Sequence, residues 1–160
     1  MEARAKLLGH PIHPILVVFP LGLLSTSVGF DVAYWMTDTE RWAEIAYWLI
    51  VIGLIGGVAA ALFGLLDWLA IPPRTRAWRI GLLHGLGNIV VLSLFGVSWL
   101  LRAAAPAVPS ALAIALSLAG VVLATLTGWL GGELVNRLGI GVHEGANVNA
   151  PSSLKQAHQP

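Results

Sequence analysis

Gly9-His10-Pro11-Ile12-His13-Pro14-Ile15-Leu16-Val17-Val18-Phe19-Pro20-Leu21-Gly22-Leu23-Leu24 is the stretch on which the reading of this chain turns. Two histidines and two of its prolines stand at the mouth of an apolar run that continues to about Met36. A helix needs roughly 20 apolar residues to cross a bilayer core, and this run supplies them. Arg4 and Lys6 precede it, as basic residues precede the core of a signal peptide. The run is too long for that role and no small-x-small cleavage site ends it, so it reads as a retained first span.

Three more runs of similar length follow, so the spans fall at about 12–36, 42–71, 77–101 and 109–134. The breaks between them are chemically sensible. Thr37 and Glu40 have the spacing of a capping box ahead of the second span. Pro72-Pro73 stops that span, because proline lacks an N–H and disfavours helix in the residue before it. Thr75 is placed to cap the third, and Pro106 and Pro109-Ser110 separate the third from the fourth. Short connections force antiparallel neighbours. The expected fold is all-α, an integral-membrane up-down-up-down four-helix bundle over residues 1–138. The Gly-, Asn- and Ser-rich remainder, residues 139–160, reads as a flexible polar tail.

Composition agrees. Hydrophobic residues make up 57% of the 160 and charged residues 11%, against about 25% charged in a soluble domain. There is no cysteine, which excludes disulfides, thiolate metal sites and cysteine nucleophiles. No basic patch with interleaved aromatics is present, so nucleic acid is not an expected partner; the lipid bilayer is. Four spans bring both termini to one end, called A here. End A carries Arg4, Lys6, Arg74, Arg76, Arg79, Arg137 and Lys155, and the opposite end B carries Arg41 and Arg102. The positive-inside rule then puts both termini in the cytoplasm.

The polar residues of the spans gather at end A. His10 and His13 open the first span, Asp67 lies near the close of the second, His84 is a short way into the third, and Glu133 is near the end of the fourth. Each helix has one stripe of small or polar residues, such as Gly81, His84, Gly85 and Asn88 on the third. A titratable group inside a span reads by default as functional or paired. His84 is the deepest, and Asp67, at similar depth on the neighbouring helix, is its expected hydrogen-bond partner.

At these residues the chain resembles a known family. Gly9-His10-Pro11-Ile12-His13-Pro14, Phe30-Asp31, Gly64-Leu65-Leu66-Asp67-Trp68, His84 with Asn88, Gly131-Gly132-Glu133-Leu134-Val135 and Gly139-Ile140-Gly141-Val142 resemble a bacterial four-span family, domain of unknown function 2231. The resemblance covers about residues 7–142. It implies a multi-pass protein of the bacterial inner membrane. Relatives joined to Rieske-type iron–sulfur domains imply electron transfer nearby. Family members often have Tyr and His where this chain has Asn136 and Leu138, so a further ligand there is absent.

Three readings of the histidines follow. The first is a b-type haem held by His13 and His84, which stand on diagonal helices, with Asp67 and Asn88 in support and a redox protein as partner. The second is a non-haem transition metal, or a metal-responsive protein, using His10, His13, His84, Asp67 and Glu133. The third is a structural subunit without cofactor, in a homo-oligomer or a larger assembly, in which the histidines only pack. The sequence offers no nucleophile-plus-base pair and no His-Glu-x-x-His helix, so an enzyme is disfavoured.

Overall fold

The computed structural model describes residues 1–156. Four long helices fall on the four apolar runs: α1 (Ile12–Thr37), α2 (Glu40–Leu69), α3 (Arg76–Arg102) and α4 (Ala111–Asn136). Only 17–22% of the most apolar window of each helix is buried inside the chain. The rest is covered in Leu, Ile, Val and Trp side chains facing outwards, with Trp35 82%, Trp129 67% and Trp48 61% exposed. Lipid, not water, is the solvent that tolerates such a surface.

Local chemistry sets the helix ends. Thr75 Oγ1 accepts from the Trp78 N–H, 3.1 Å, and Ser110 Oγ from the Ala113 N–H, 3.3 Å, as N-caps do. The capping box expected at Thr37 and Glu40 does not form. α1 runs through Thr37, whose hydroxyl donates to the Ala33 carbonyl, and Asp38 turns the chain in the left-handed region at φ 51°. α1 also passes through Pro20 without ending.

Ahead of α1 lies a feature the apolar pattern does not reveal, a small antiparallel hairpin. Lys6–Leu7 pairs with His10–Pro11 around Leu8 and Gly9, at φ 52° and 83°. Two central residues with positive φ define the tight type I′ turn, and Gly9 supplies the conformation that other residues resist.

α1 packs along α2 and α3 along α4. The two hairpins join through α2 against α3 and α1 against α4, so α1 and α3 stand at diagonal corners and run parallel. The buried core between them holds Leu24, Val28, Ile50, Val91 and Phe95.

The two hairpins repeat one another. A shift of 71 residues carries α1 onto α3, pairing His13 with His84, Leu24 with Phe95, Ser27 with Ser98 and Asp31 with Arg102. A shift of 67 carries α2 onto α4, pairing Ala46 with Ala113, Gly53 with Gly120, Ala60 with Thr127 and Gly64 with Gly131. The contacts repeat too. A Cβ on Gly53 would meet Leu24 at 2.6 Å, and one on Gly120 would meet Phe95 at 2.7 Å. The bundle is a pair of equivalent hairpins around an approximate two-fold axis parallel to the helices.

Candidate functional site

His13 and His84 face each other across the diagonal. Their ring centroids are 6.4 Å apart and their planes are nearly perpendicular, at 88°. Each ring is fixed in the same way. The Nδ1 atom of His13 lies 2.9 Å from the Ala60 carbonyl oxygen, and that of His84 lies 2.8 Å from the Thr127 carbonyl oxygen. A carbonyl only accepts, so Nδ1 carries the proton in both rings and Nε2 carries the lone pair. Four residues beyond each acceptor a glycine makes room for the ring. A Cβ would stand 2.9 Å from the His13 imidazole at Gly64 and 3.0 Å from that of His84 at Gly131. Helix–helix packing thus orients the two rings by backbone contacts at Nδ1, a device that metal-binding histidines also use to fix tautomer and direction.

The polar surroundings differ between the two. Asn88 Nδ2 lies 3.1 Å from His84 Nε2 and 3.0 Å from the His84 carbonyl, while its Oδ1 accepts from Thr127 Oγ1 at 3.0 Å. His13 Nε2 has no hydrogen-bond partner among the described residues.

The other expected participants stand elsewhere. Asp67 is not the partner of His84. One of its oxygens accepts from the backbone N–H groups of Arg4 and Ala5, at 2.7 and 3.2 Å, and so pins the N-terminal arm to the end of α2. Glu133 pairs with Arg76 at 2.5 Å. His10, on the hairpin, lies 3.3 Å from Ser153 Oγ. Among the described residues no group of three His, Asp or Glu side chains comes together as a metal site.

Part of the polar segment after residue 138 lies against the N-terminus. The Met1 ammonium donates to the Gly139 carbonyl, the Gly141 N–H to the Met1 carbonyl, and the Glu144 N–H to Glu2. Lys6 pairs with Glu2 and, together with the Glu144 N–H and His143, holds its carboxyl below the usual carboxylate range. His158 lies outside the described residues.

At end B is a second diagonal pair that sequence reasoning missed. Arg102 grips Asp31 with two parallel bonds of 2.6 and 2.7 Å, both side chains fully buried. Arg102 also donates to Ser98 Oγ at 3.2 Å and to Ser117 Oγ at 3.3 Å, and Ser98 donates onward to the Ala113 carbonyl at 2.7 Å. The signal was present in spacing. Eighteen residues separate His13 from Asp31, and eighteen separate His84 from Arg102. Eighteen residues make about five helical turns, so each helix presents both of its polar residues on one face, about 27 Å apart. On parallel helices that puts the two pairs in register.

Four membrane-length helices joined by a histidine pair near one end and a buried ion pair near the other define a polytopic α-helical membrane protein. Residues 9–144 match the family described as Predicted membrane protein (DUF2231), and the chain belongs to that family. It is the family that the sequence motifs resemble. No curated protein and no solved structure matches the chain.

Proposed function

We propose that the protein holds a b-type haem between His13 and His84 and works in membrane-bound electron transfer. The observation that carries this reading is the separation of the two tautomer-fixed imidazoles. The ring centroids stand 6.4 Å apart across the diagonal, and two histidines from facing helices are the residues that would hold a haem iron. The number of donors points the same way. Two histidines complete the coordination of an iron whose other four positions a porphyrin fills. A bare zinc or nickel ion needs further protein ligands, and Asp67, Glu133 and His10 have other partners. When bound, haem supplies one-electron chemistry. The chain's own residues fix the direction of both imidazoles through Nδ1.

Haem titration into the purified protein tests the reading. A six-coordinate low-spin Soret and visible spectrum is expected, and the His13→Ala, His84→Ala double variant lacks it. If both imidazoles keep their perpendicular planes, the ferric form gives a highly anisotropic low-spin EPR signal. Absence of any bound-haem spectrum after haem is supplied excludes the proposal.

The same reading puts the site at the cytoplasmic end of a bacterial inner-membrane protein. The basic residues gathered at end A support it. The chain has no cysteine, so single cysteines introduced near Arg76 and near Arg41 can be labelled without background. An impermeant maleimide added outside intact cells should label only the second.

A further inference from the structure

Leu8 carries a strain that its turn does not require. It holds φ 52° at the first central position of the hairpin turn, a conformation that a β-carbon resists and that asparagine or glycine adopts more readily. Leucine adds nothing that the turn needs. What it adds is an apolar side chain, 70% exposed, beside Leu7, which is 59% exposed. A strained residue that presents an uncovered apolar group points to what the group meets. The hairpin is also fixed in place, so the leucines cannot fold away. Asp67 accepts from the Arg4 and Ala5 N–H groups, the Ile12 N–H donates to the Ala5 carbonyl at 3.0 Å, and Lys6 pairs with Pro11. The polar segment after α4 does reach this turn. A Cβ on Gly9 would stand 2.7 Å from Ser153 Cβ, and Ser153 Oγ lies 3.3 Å from His10 Nε2. It leaves both leucines bare.

We propose that this hairpin is an interfacial anchor, with Leu7 and Leu8 inserted among the upper acyl chains of the leaflet at end A and the exposed Arg4 among the phosphate groups above them. Position supports lipid as the occupant. The second strand, His10–Pro11, leads straight into α1 at Ile12. Leu8 is four residues ahead of Ile12, so it lies at most about 14 Å from the start of the span. The apolar surface of α1 just below, at Ile15, Val18 and Phe19, also faces outwards. The tip therefore continues a surface that lipid already covers. A soluble partner would leave two leucines in water between encounters, whereas a tip beside the bilayer always has lipid within reach. Apolar area in the leaflet and positive charge at the headgroups are the two parts of interfacial attachment. The anchor sets the depth at which α1 enters the bilayer, and it holds whether or not the histidines carry a cofactor.

The test uses the full-length chain in bilayers of phosphatidylcholine and phosphatidylglycerol. With no native cysteine, a single Leu8→Cys can carry a polarity-sensitive fluorophore without background. Its emission should shift to the blue, and lipids spin-labelled high on the acyl chain should quench it more than iodide in solution does. Val18→Cys in the span and Val148→Cys, at a position 99% exposed on the polar segment, give the lipid and water limits. Emission and quenching at the Val148 limit overturn the proposal. So does a blue-shifted label that neither quencher reaches, since protein would then cover the tip. Leu8→Asn separates the turn from the anchor. Asparagine suits the left-handed position better, so the hairpin should persist, yet a label at Leu7→Cys should move towards the water limit. A Leu7 label that stays at the lipid limit in that variant overturns the role of Leu8. A second measurement leaves the tip unaltered. In protein with methyl-labelled leucine, spin-labelled lipid should broaden the NMR resonances of Leu7 and Leu8 and a water-soluble gadolinium chelate should not; the reverse pattern overturns the proposal.

Discussion

The two ends of this bundle solve one problem in opposite ways. At end B a full positive and a full negative charge are sealed among helices, and the arginine finds acceptors on Asp31, Ser98 and Ser117. At end A two imidazole rings are held through Nδ1, yet Nε2 has no partner on His13 among the described residues and is engaged by a single amide on His84. A buried polar group with all its bonds made has nothing left to offer a ligand, and its removal is felt as instability. A group fixed in direction with a spare lone pair has the character of a site. Burial alone would have ranked the ion pair first as a functional candidate; counting the remaining bonding capacity ranks the histidines first.

That contrast can be broken most directly at Arg102. Replacing it by Met strands the Asp31 carboxylate in an apolar interior and should destabilise the bundle by about 3–5 kcal/mol. Replacing both, as Asp31→Leu with Arg102→Met, should recover most of the loss. Unfolding in detergent micelles measures both. Haem affinity of the folded fraction should not change, and a parallel loss of affinity would show that the two ends are not separable in role.

A smaller effect is expected at the glycines under the imidazoles. Gly64→Ala and Gly131→Ala each place a methyl group about 3 Å from a ring that is tied to a carbonyl. Overpacking of this kind costs about 1–3 kcal/mol, and here it should appear chiefly as weakened haem binding in a titration. Gly22→Ala is the control, since nothing lies within 4 Å of its added Cβ. Equal effects at all three positions would mean that the cradles are ordinary packing.

The smallest effect is expected at Asp67. Asp67→Ala removes two hydrogen bonds to the N-terminal arm, each worth about 0.5–1.5 kcal/mol, mostly as local order. Faster amide exchange at Arg4 and Ala5 should result, with little change in haem affinity. A loss of affinity matching that of His84→Ala would return Asp67 to the histidine site.

Much of this was legible in the chain. Four apolar runs and short breaks dictate four spans, because open-chain backbone in lipid has no other way to satisfy itself. Up-down connectivity brought His13 and His84 to one end and to diagonal helices. The partner of Asp67 was not legible, because it is the backbone of Arg4 and Ala5, and any residue supplies an N–H. Arg102 was counted with a loop because the apolar run ends one residue before it; only the matched eighteen-residue spacing, on two helices at once, exposes the pair. The repeat was hidden for a physical reason. Lipid accepts any apolar side chain, so outward positions diverge freely, and the shared pattern survives where helices touch, as at Ser27 and Ser98, Gly53 and Gly120, or Gly64 and Gly131.

The equal spacing of the two diagonal pairs also gives the molecule a fulcrum. With α1 and α3 bolted together at Asp31 and Arg102, the histidines sit at the free end of a lever about 27 Å long. A change of about 1 Å in their separation then becomes a tilt of roughly 2° between the helices, with almost no sliding along them. The arm pinned by Asp67 and the strap of residues 139–144 across Met1 and Glu2 lie at that free end. A change in the spacing of the two imidazoles would thereby show as a splaying of the surface beside the termini.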